Sequence, residues 1–338
     1  MSFDPALTAP LLVGDIGGTN ARFALYDHDG AAAGSGKLRV RAVLAASDHA
    51  HFADAVQAFL SANAVLPKTL SGASFAVACP LGVGEVRFTN SPWRFLREEL
   101  QQSLQLSRLV LVNDFEALAL SVPRLSREQF NILRAGEVAP GAPKIVLGPG
   151  TGLGVAGIVP LQIDAETRWR AVPGEGGHVA FAPLDDFEFD LLRHLRSKHS
   201  RVSVERVVCG DGLESLHAFL LSCSGVTLLR PASAAEITRE ALAGDSVARE
   251  AVMRFLAILG SFAGDCALLY AARGGVYFGG GILPRIWPLV ADSPLIERFD
   301  AKGRMAPWIS RIPLRLVTDD TAALRGAAIA AHPSHVKG

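Results

Sequence analysis

Apolar runs at residues 11–13 and 23–26 flank an acidic, glycine-rich turn, and the pattern predicts a β-hairpin with that turn at its tip. Residues 38–44 read as a third strand. Phe52, Val56, Phe59 and Leu60 recur at helical spacing and predict a helix over 51–63. Short buried strands are expected at 73–78 and 86–89. The continuous apolar run at 109–112 fits a strand covered on both faces. Helices are expected at 95–106 and 115–122, the second closed by Pro123. Strands alternating with helices make this section α/β with a mixed sheet. Residues 124–143 are polar, with Gly136, Pro140, Gly141 and Pro143 near their end, and read as a crossing between domains.

Residues 145–159 repeat the opening grammar of apolar strand, glycine–threonine turn and apolar strand. Setting Gly14-Asp15 against Gly148-Pro149 places the two hairpins about 134 positions apart, which suggests two related domains facing each other across a cleft. Helices are then expected at 186–196, 213–221, 234–243 and 246–270, and strands at 275–278 and 312–317. The alanine-rich helix at 321–331 has the propensity to form and pack back on the first domain. The resulting division is a small α/β domain of residues 1–123 plus about 318–338, and a large α/β domain of 124–317.

Composition narrows the class. A chain of 338 residues exceeds one typical core, and 49% hydrophobic with 20% charged residues is globular. Lysine plus arginine and aspartate plus glutamate are both 33, which gives no reason to expect nucleic acid or a membrane surface as partner. The cysteines at 79, 209, 223 and 266 are scattered, against a zinc site and in keeping with a reducing cytosol. Residues 1–10 carry no basic n-region. The apolar stretch 251–270 contains Arg254 and Asp265 at a helical period and reads as a buried helix, not a span. A soluble, cytoplasmic protein is expected.

Several motifs carry candidate chemistry. Gly14, Gly17 and Gly18 leave backbone N–H groups uncovered and permit positive φ, so the main chain can close on an anion. Thr19 and Asn20 add short polar side chains, and Asp15 brings a carboxylate suited to a metal–phosphate complex. The turn is either a nucleotide-phosphate hairpin or an ordinary glycine turn. Gly152-Leu-Gly-Val-Ala-Gly157 satisfies a dinucleotide fingerprint, with Glu175 near the expected acid. That fingerprint needs a helix to begin among its glycines. Residues 155–159 are instead β-branched and ended by Pro160, so a strand is expected and dinucleotide binding is not. Asp114 follows an apolar strand and precedes a helix, as either an N-cap or a general base at a strand end. Gly174-Glu175-Gly176-Gly177-His178 is too glycine-rich for a stable helix. It is a tight loop that offers Glu175 and His178 to sugar hydroxyls, a plain exposed loop, or a two-ligand metal site.

Taken together these motifs resemble bacterial ATP-dependent glucokinase, in the actin-like, hexokinase-type sugar-kinase superfamily. Gly14-Asp15-Ile16-Gly17-Gly18-Thr19-Asn20 looks like the first phosphate motif of that family and Gly148-Pro-Gly150-Thr151-Gly152-Leu-Gly154 like the second. Gly279-Gly280-Gly281 resembles the glycines beside the adenosine. Asn113-Asp114-Phe115, Thr89-Asn90-Ser-Pro-Trp93, Pro173-Gly-Glu175-Gly-Gly-His178 and Ser203-Val-Glu205-Arg-Val resemble its sugar-side motifs. The resemblance runs from about Leu12 to about Gly326, and it implies a two-domain, ribonuclease H-like fold with a cleft between a small and a large domain. It also implies ATP-dependent phosphorylation of D-glucose to glucose 6-phosphate, with Asp114 as catalytic base. Asn113, Glu175, His178, Glu205 and Asn90 would hold the glucose. Gly14, Asp15, Ile16, Gly17, Gly18, Thr19, Gly150, Thr151, Gly152 and Gly280 would surround ATP, with Asp15 holding Mg²⁺ through water. A homodimer is implied as well. The chain departs from close relatives at Cys209-Gly210-Asp-Gly212, which bears on local loop shape, and it lacks the cysteine cluster of the related repressor/kinase group. The rival readings are a kinase for another hexose and a catalytically inactive sugar-binding regulator.

Overall fold

Both strands of the opening hairpin form, and both outrun their apolar cores. The computed structural model describes residues 9–29, 36–79, 81–82, 84–88, 91, 93–163, 166–226 and 230–332. In it β1 (Leu11–Ile16) and β2 (Asn20–Asp27) pair antiparallel from Leu11↔Tyr26 to Ile16↔Ala21. Ladder pairing draws the polar Asp15 and Asn20 into the strands. The turn shrinks to Gly17, Gly18 and Thr19, with the Gly17 N–H donating to the Asn20 carbonyl at 3.0 Å.

The chain continues through β3 (Lys37–Ala45), α1 (Phe52–Ala62), β4 (Gly72–Val77), β5 (Glu85–Arg87), β6 (Arg94–Leu96), α2 (Arg97–Ser103), β7 (Leu109–Asn113) and α3 (Asp114–Ser121). One sheet has the order β3-β2-β1-β4-β7, in which β1, β4 and β7 run parallel. Helix α1 starts with a capping box between His51 and Asp54 and buries Phe52, Val56, Phe59 and Leu60. The expected helix at 95–106 begins only at Arg97. Residues 94–96 pair first with β5, because Phe95 stacks on Phe52 with ring centroids 5.2 Å apart.

Residues 124–143 are not merely a crossing, since they contain β8 (Phe130–Arg134). This strand lies at a sheet edge beside residues Leu314–Val317, where one buried residue, Phe130, suffices and polar neighbours are tolerated. Next come β9 (Lys144–Pro149), β10 (Leu153–Ile163), β11 (Glu166–Gly174), α4 (Asp186–Arg196), α5 (Gly210–Cys223), α6 (Ala234–Ala243) and α7 (Ser246–Leu269). They are followed by β12 (Val276–Phe278), α8 (Leu283–Val290), α9 (Leu295–Asp300), α10 (Ala306–Ile309) and β13 (Leu314–Val317). The second sheet has the order β11-β10-β9-β12-β13-β8. As expected, the glycines at 152–157 lead into a strand rather than a helix. That strand runs on through Pro160, because pairing with β9 stops at Ile158↔Lys144 and the missing N–H breaks no bond on that side. Helix α7 is long and apolar enough to cross a membrane, yet most of it is buried, with Phe255, Leu256 and Leu259 fully enclosed.

Helix α11 (Ala322–Ala331) closes the chain's described part. Two compact units result: Met1–Ser126 with Trp169–Pro173 and Asp319–Gly338, and Arg127–Arg168 with Gly174–Thr318. In the first unit α11 covers β1, β4 and α3, and the Ser74 hydroxyl donates to the Ala327 carbonyl at 2.6 Å. Helix α11 approaches α3 so closely that a Cβ on Gly326 would overlap the Ala117 carbonyl. Gly326→Val should therefore cost about 3 kcal/mol or more, read as a lowered urea midpoint. An unchanged midpoint would contradict this packing.

Candidate functional site

The candidate residues fall in both units. In the first, the parallel strands end level with one another, with Ile16 opposite Val77 and Val77 opposite Asn113. Asp15 and Asp114 both lie at this C-terminal edge, where open α/β sheets present ligand-binding groups. Between the two roles open to Asp114, the cap is taken by its neighbour. The Asn113 side-chain oxygen accepts from the Phe115 N–H at 3.0 Å and the Glu116 N–H at 3.2 Å. Asp114 is the first helical residue, and its carboxylate accepts the Phe115 N–H at 3.0 Å. Burial first, and then the like charge of Asp15, push the Asp114 carboxyl up to about 7, against hydrogen bonds from Phe115 and Asn113 that pull it down.

Asp15 itself is not a free carboxylate in a turn. It is a strand residue whose ladder partner is Arg22, with Arg22 Nη1 to Asp15 Oδ2 at 3.0 Å. Its carboxyl is also raised, by burial foremost, with Arg22 acting in the opposite direction. Gly14 and Gly17 stay outside the left-handed region, so positive φ is not their purpose. A Cβ on Gly14 would come within 2.7 Å of the Phe75 ring, so that glycine serves the packing of the sheet. Ile16 is fully buried, so any contact it makes to a phosphate is through its backbone. Asn90 lies outside the described residues.

In the second unit the β9–β10 turn is closed by the Gly150 N–H donating to the Gly152 carbonyl at 2.8 Å, with Thr151 exposed at its tip. Gly280, at the end of β12, has φ +80°, and a Cβ there would overlap the Pro149 carbonyl. The triple glycine thus lies directly against the start of this hairpin, and only glycine fits at 148 and 280. Helix α5 begins three residues earlier than expected. Cys209 Sγ caps it by accepting the Gly212 N–H at 3.3 Å, and the Gly210 N–H donates to the Gly150 carbonyl at 3.0 Å. The glycines that marked a departure in sequence therefore form the helix's first turn, seated on the phosphate-like hairpin.

The loop at 174–178 contains a single 3₁₀ turn, Gly176–His178. Its glycines are needed because the loop lies on β10: a Cβ on Gly176 would come within 2.9 Å of Val155, and one on Gly177 would overlap the Leu153 carbonyl. This packing brings together Glu175, His178 and Glu205. His178 Nε2 is 4.0 Å from Glu175 Oε2 and 3.8 Å from Glu205 Oε1. Arg201, which no motif singled out, donates to the His178 carbonyl at 2.6 Å and holds the loop's exit.

The Asp114 value sets a pH expectation. If Asp114 is the base that the resemblance implies, it must be deprotonated to accept a proton, so activity would track the ionised fraction and rise with pH through about 7. The sugar kcat/KM would then fall about fivefold between pH 7 and pH 6, and about tenfold per pH unit below that. A flat profile over that range would remove Asp114 as the base.

The glucokinase family model matches residues 12–334 of this chain. A glucokinase of Chromohalobacter salexigens is 42% identical over 334 residues, covering 98% of this chain and 100% of that protein. Among solved structures, a glucokinase from an Antarctic psychrotroph is 36% identical with a TM-score of 0.81, covering 96% of this chain and 99% of that one. A Balamuthia mandrillaris glucokinase in complex with glucose shares the fold at 23% identity and a TM-score of 0.77, covering 96% and 93% of the two chains.

Proposed function

The chain belongs to the glucokinase family, and from that premise we propose how its own residues carry ATP-dependent phosphorylation of glucose. Asp114 accepts the proton of the 6-hydroxyl as that oxygen attacks the γ-phosphorus, the bond to ADP breaks, and glucose 6-phosphate forms. The observation that carries this is the cap at Asn113. Because Asn113 satisfies the helix N-terminus, Asp114 is left with a carboxyl near neutrality at a strand end, as a general base requires.

Asn113, Glu175, His178, Glu205 and Asn90 hold the sugar hydroxyls. The segments Gly14 to Thr19 and Gly150 to Gly152 line ATP, with the turn N–H groups of Gly18, Thr19, Thr151 and Gly152 taking the phosphates and Gly280 beside the nucleoside. Asp15 fits Mg²⁺ held through water. That ion keeps much of its hydration and takes one or two carboxylates plus phosphate oxygens, and among the described residues no group of three His, Cys, Asp or Glu forms a dedicated cage. When bound, the ion neutralises charge on the β- and γ-phosphates. Residues 1–123 with about 318–338 act as the small domain and 124–317 as the large domain, closing on the sugar. The same reading has the enzyme work in the cytoplasm as a homodimer.

The direct test is ADP release measured with a panel of hexoses and with no sugar. Glucose should give the highest kcat/KM. A stronger response to mannose, fructose or an N-acetyl amino sugar would move the assignment to that hexose, and no sugar-dependent release would favour a regulator that has lost catalysis.

A further inference from the structure

Glu205 is attached to two parts of its unit at once. Its backbone N–H donates to the Gly177 carbonyl at 2.9 Å. Its neighbours are tied in the same way, Val204 N–H to the Val179 carbonyl at 3.0 Å and Phe181 N–H to the Val202 carbonyl at 3.1 Å. Residues 201–205 thus form one paired body with the loop that presents Glu175 and His178. The Glu205 side chain leaves that body and reaches the β9–β10 hairpin, where Oε2 accepts the Leu153 N–H at 2.8 Å. Leu153 is the first strand residue after the Gly150-Thr151-Gly152 turn. The approach is so close that a Cβ on Gly152 would sit 2.6 Å from the same oxygen, so glycine at 152 leaves room for the carboxylate. The other oxygen, Oε1, faces His178 Nε2 at 3.8 Å, beyond hydrogen-bond distance.

We propose that Glu205 is a positioning residue as well as a sugar ligand: Oε2 holds the phosphate-binding hairpin while Oε1 takes a glucose hydroxyl, so glucose binding raises affinity for ATP. This rests on the reading of the 174–178 loop and Glu205 as the sugar side of a glucokinase. A carboxylate is planar with a fixed O–C–O angle, so with Oε2 held on Leu153 the other oxygen keeps only a rotation about that anchored end. A sugar hydroxyl on Oε1 removes the rotation left to a side chain anchored at one oxygen only. It thereby holds the Leu153 N–H, and with it the turn, in one arrangement. Because the acceptor is charged, its hydrogen bond is roughly twice as strong as a neutral one. Linkage makes the effect reciprocal: ATP must tighten glucose by the same factor that glucose tightens ATP.

The test is calorimetric titration of the full chain with a non-hydrolysable ATP analogue and Mg²⁺, with and without glucose, together with titration of glucose alone. Glu205→Ala should weaken sugar-free binding of the analogue by about tenfold and abolish the tightening by glucose. Glu175→Ala should weaken glucose while leaving sugar-free analogue affinity within about twofold, since among the described residues Glu175 pairs with His178 and not with the hairpin. Glu205→Gln keeps an oxygen for the Leu153 N–H and should restore sugar-free analogue affinity to within about threefold, but not glucose affinity.

If Glu205→Ala binds the analogue as the wild type does yet loses glucose, the coupling is overturned and the sugar assignment stands. If it binds glucose as the wild type does, the sugar assignment itself fails, and the proposal with it. Should the alanine variant not fold, amide exchange in the wild type decides: glucose alone must slow exchange at Leu153, and an unchanged rate there overturns the proposal.

Discussion

Asp114→Asn should lower kcat by about 10²–10⁴-fold while glucose still binds within a few-fold of the wild type, because the amide keeps the side chain's shape but cannot take a proton. The local structure should survive the exchange, since the helix start is capped by Asn113 and does not depend on Asp114. Two further readouts separate this outcome from general damage. The acid limb near pH 7 should vanish from whatever activity remains. Stability at pH 8 should rise, and the sign follows from the raised carboxyl. A group whose pKa is higher folded than unfolded favours the folded state at low pH and loses that contribution as pH rises through its folded value, here about 7. Above that pH the wild type carries a costly buried charge that asparagine lacks, worth roughly 1–3 kcal/mol. An asparagine variant with near-wild-type turnover would rule out Asp114 as the base.

Asp15→Ala is the second large effect expected, with kcat/KM for ATP falling by roughly 10²–10³-fold and glucose affinity by calorimetry unchanged. Folding should tolerate the change, because the Arg22 guanidinium left behind is half-exposed and remains hydrated. The removal also eliminates the like charge that helps raise Asp114, so the acid limb of the residual activity should move to lower pH. ATP kinetics that stay at the wild-type level would dismiss Asp15 as the seat of the metal–phosphate complex. A loss of glucose binding instead would mean that the substitution disturbs the whole strand edge.

Much of this arrangement was legible in residue order because the signals were local. The two hairpins announced themselves by apolar runs around glycine, and the GxGxxG decoy was separable from a dinucleotide site by the β-branched residues that follow it. What escaped depends on contacts distant in sequence. Nothing in residues 124–143 reveals that Phe130 would find a sheet edge beside β13, nearly two hundred positions later. The purpose of Gly14 could not be read from its turn, since it is set by the Phe75 ring on a neighbouring strand. The pairing of Asp15 with Arg22 follows from ladder register, and a short shift of the turn would have put a different residue opposite. Sequence leaves Asp114 between two roles, because which of two adjacent residues caps a helix depends on backbone angles that residue order alone does not fix.

The cover that α11 places over the first sheet has a consequence for how the protein is made. Leu11, Val13 and Ala24 share a core with Leu324, Ala327 and Ala328. A ribosome adding about 5–20 residues per second delivers the first group roughly 15–60 s before the second. For that interval the newborn sheet has an uncovered apolar face, and the whole second unit, Arg127–Arg168 with Gly174–Thr318, emerges before the sheet can be finished. The edge bearing Asp15 and Asp114 is therefore expected to gain its stability when residues 324–328 emerge and cover the sheet, late in synthesis and not when its first strands appear.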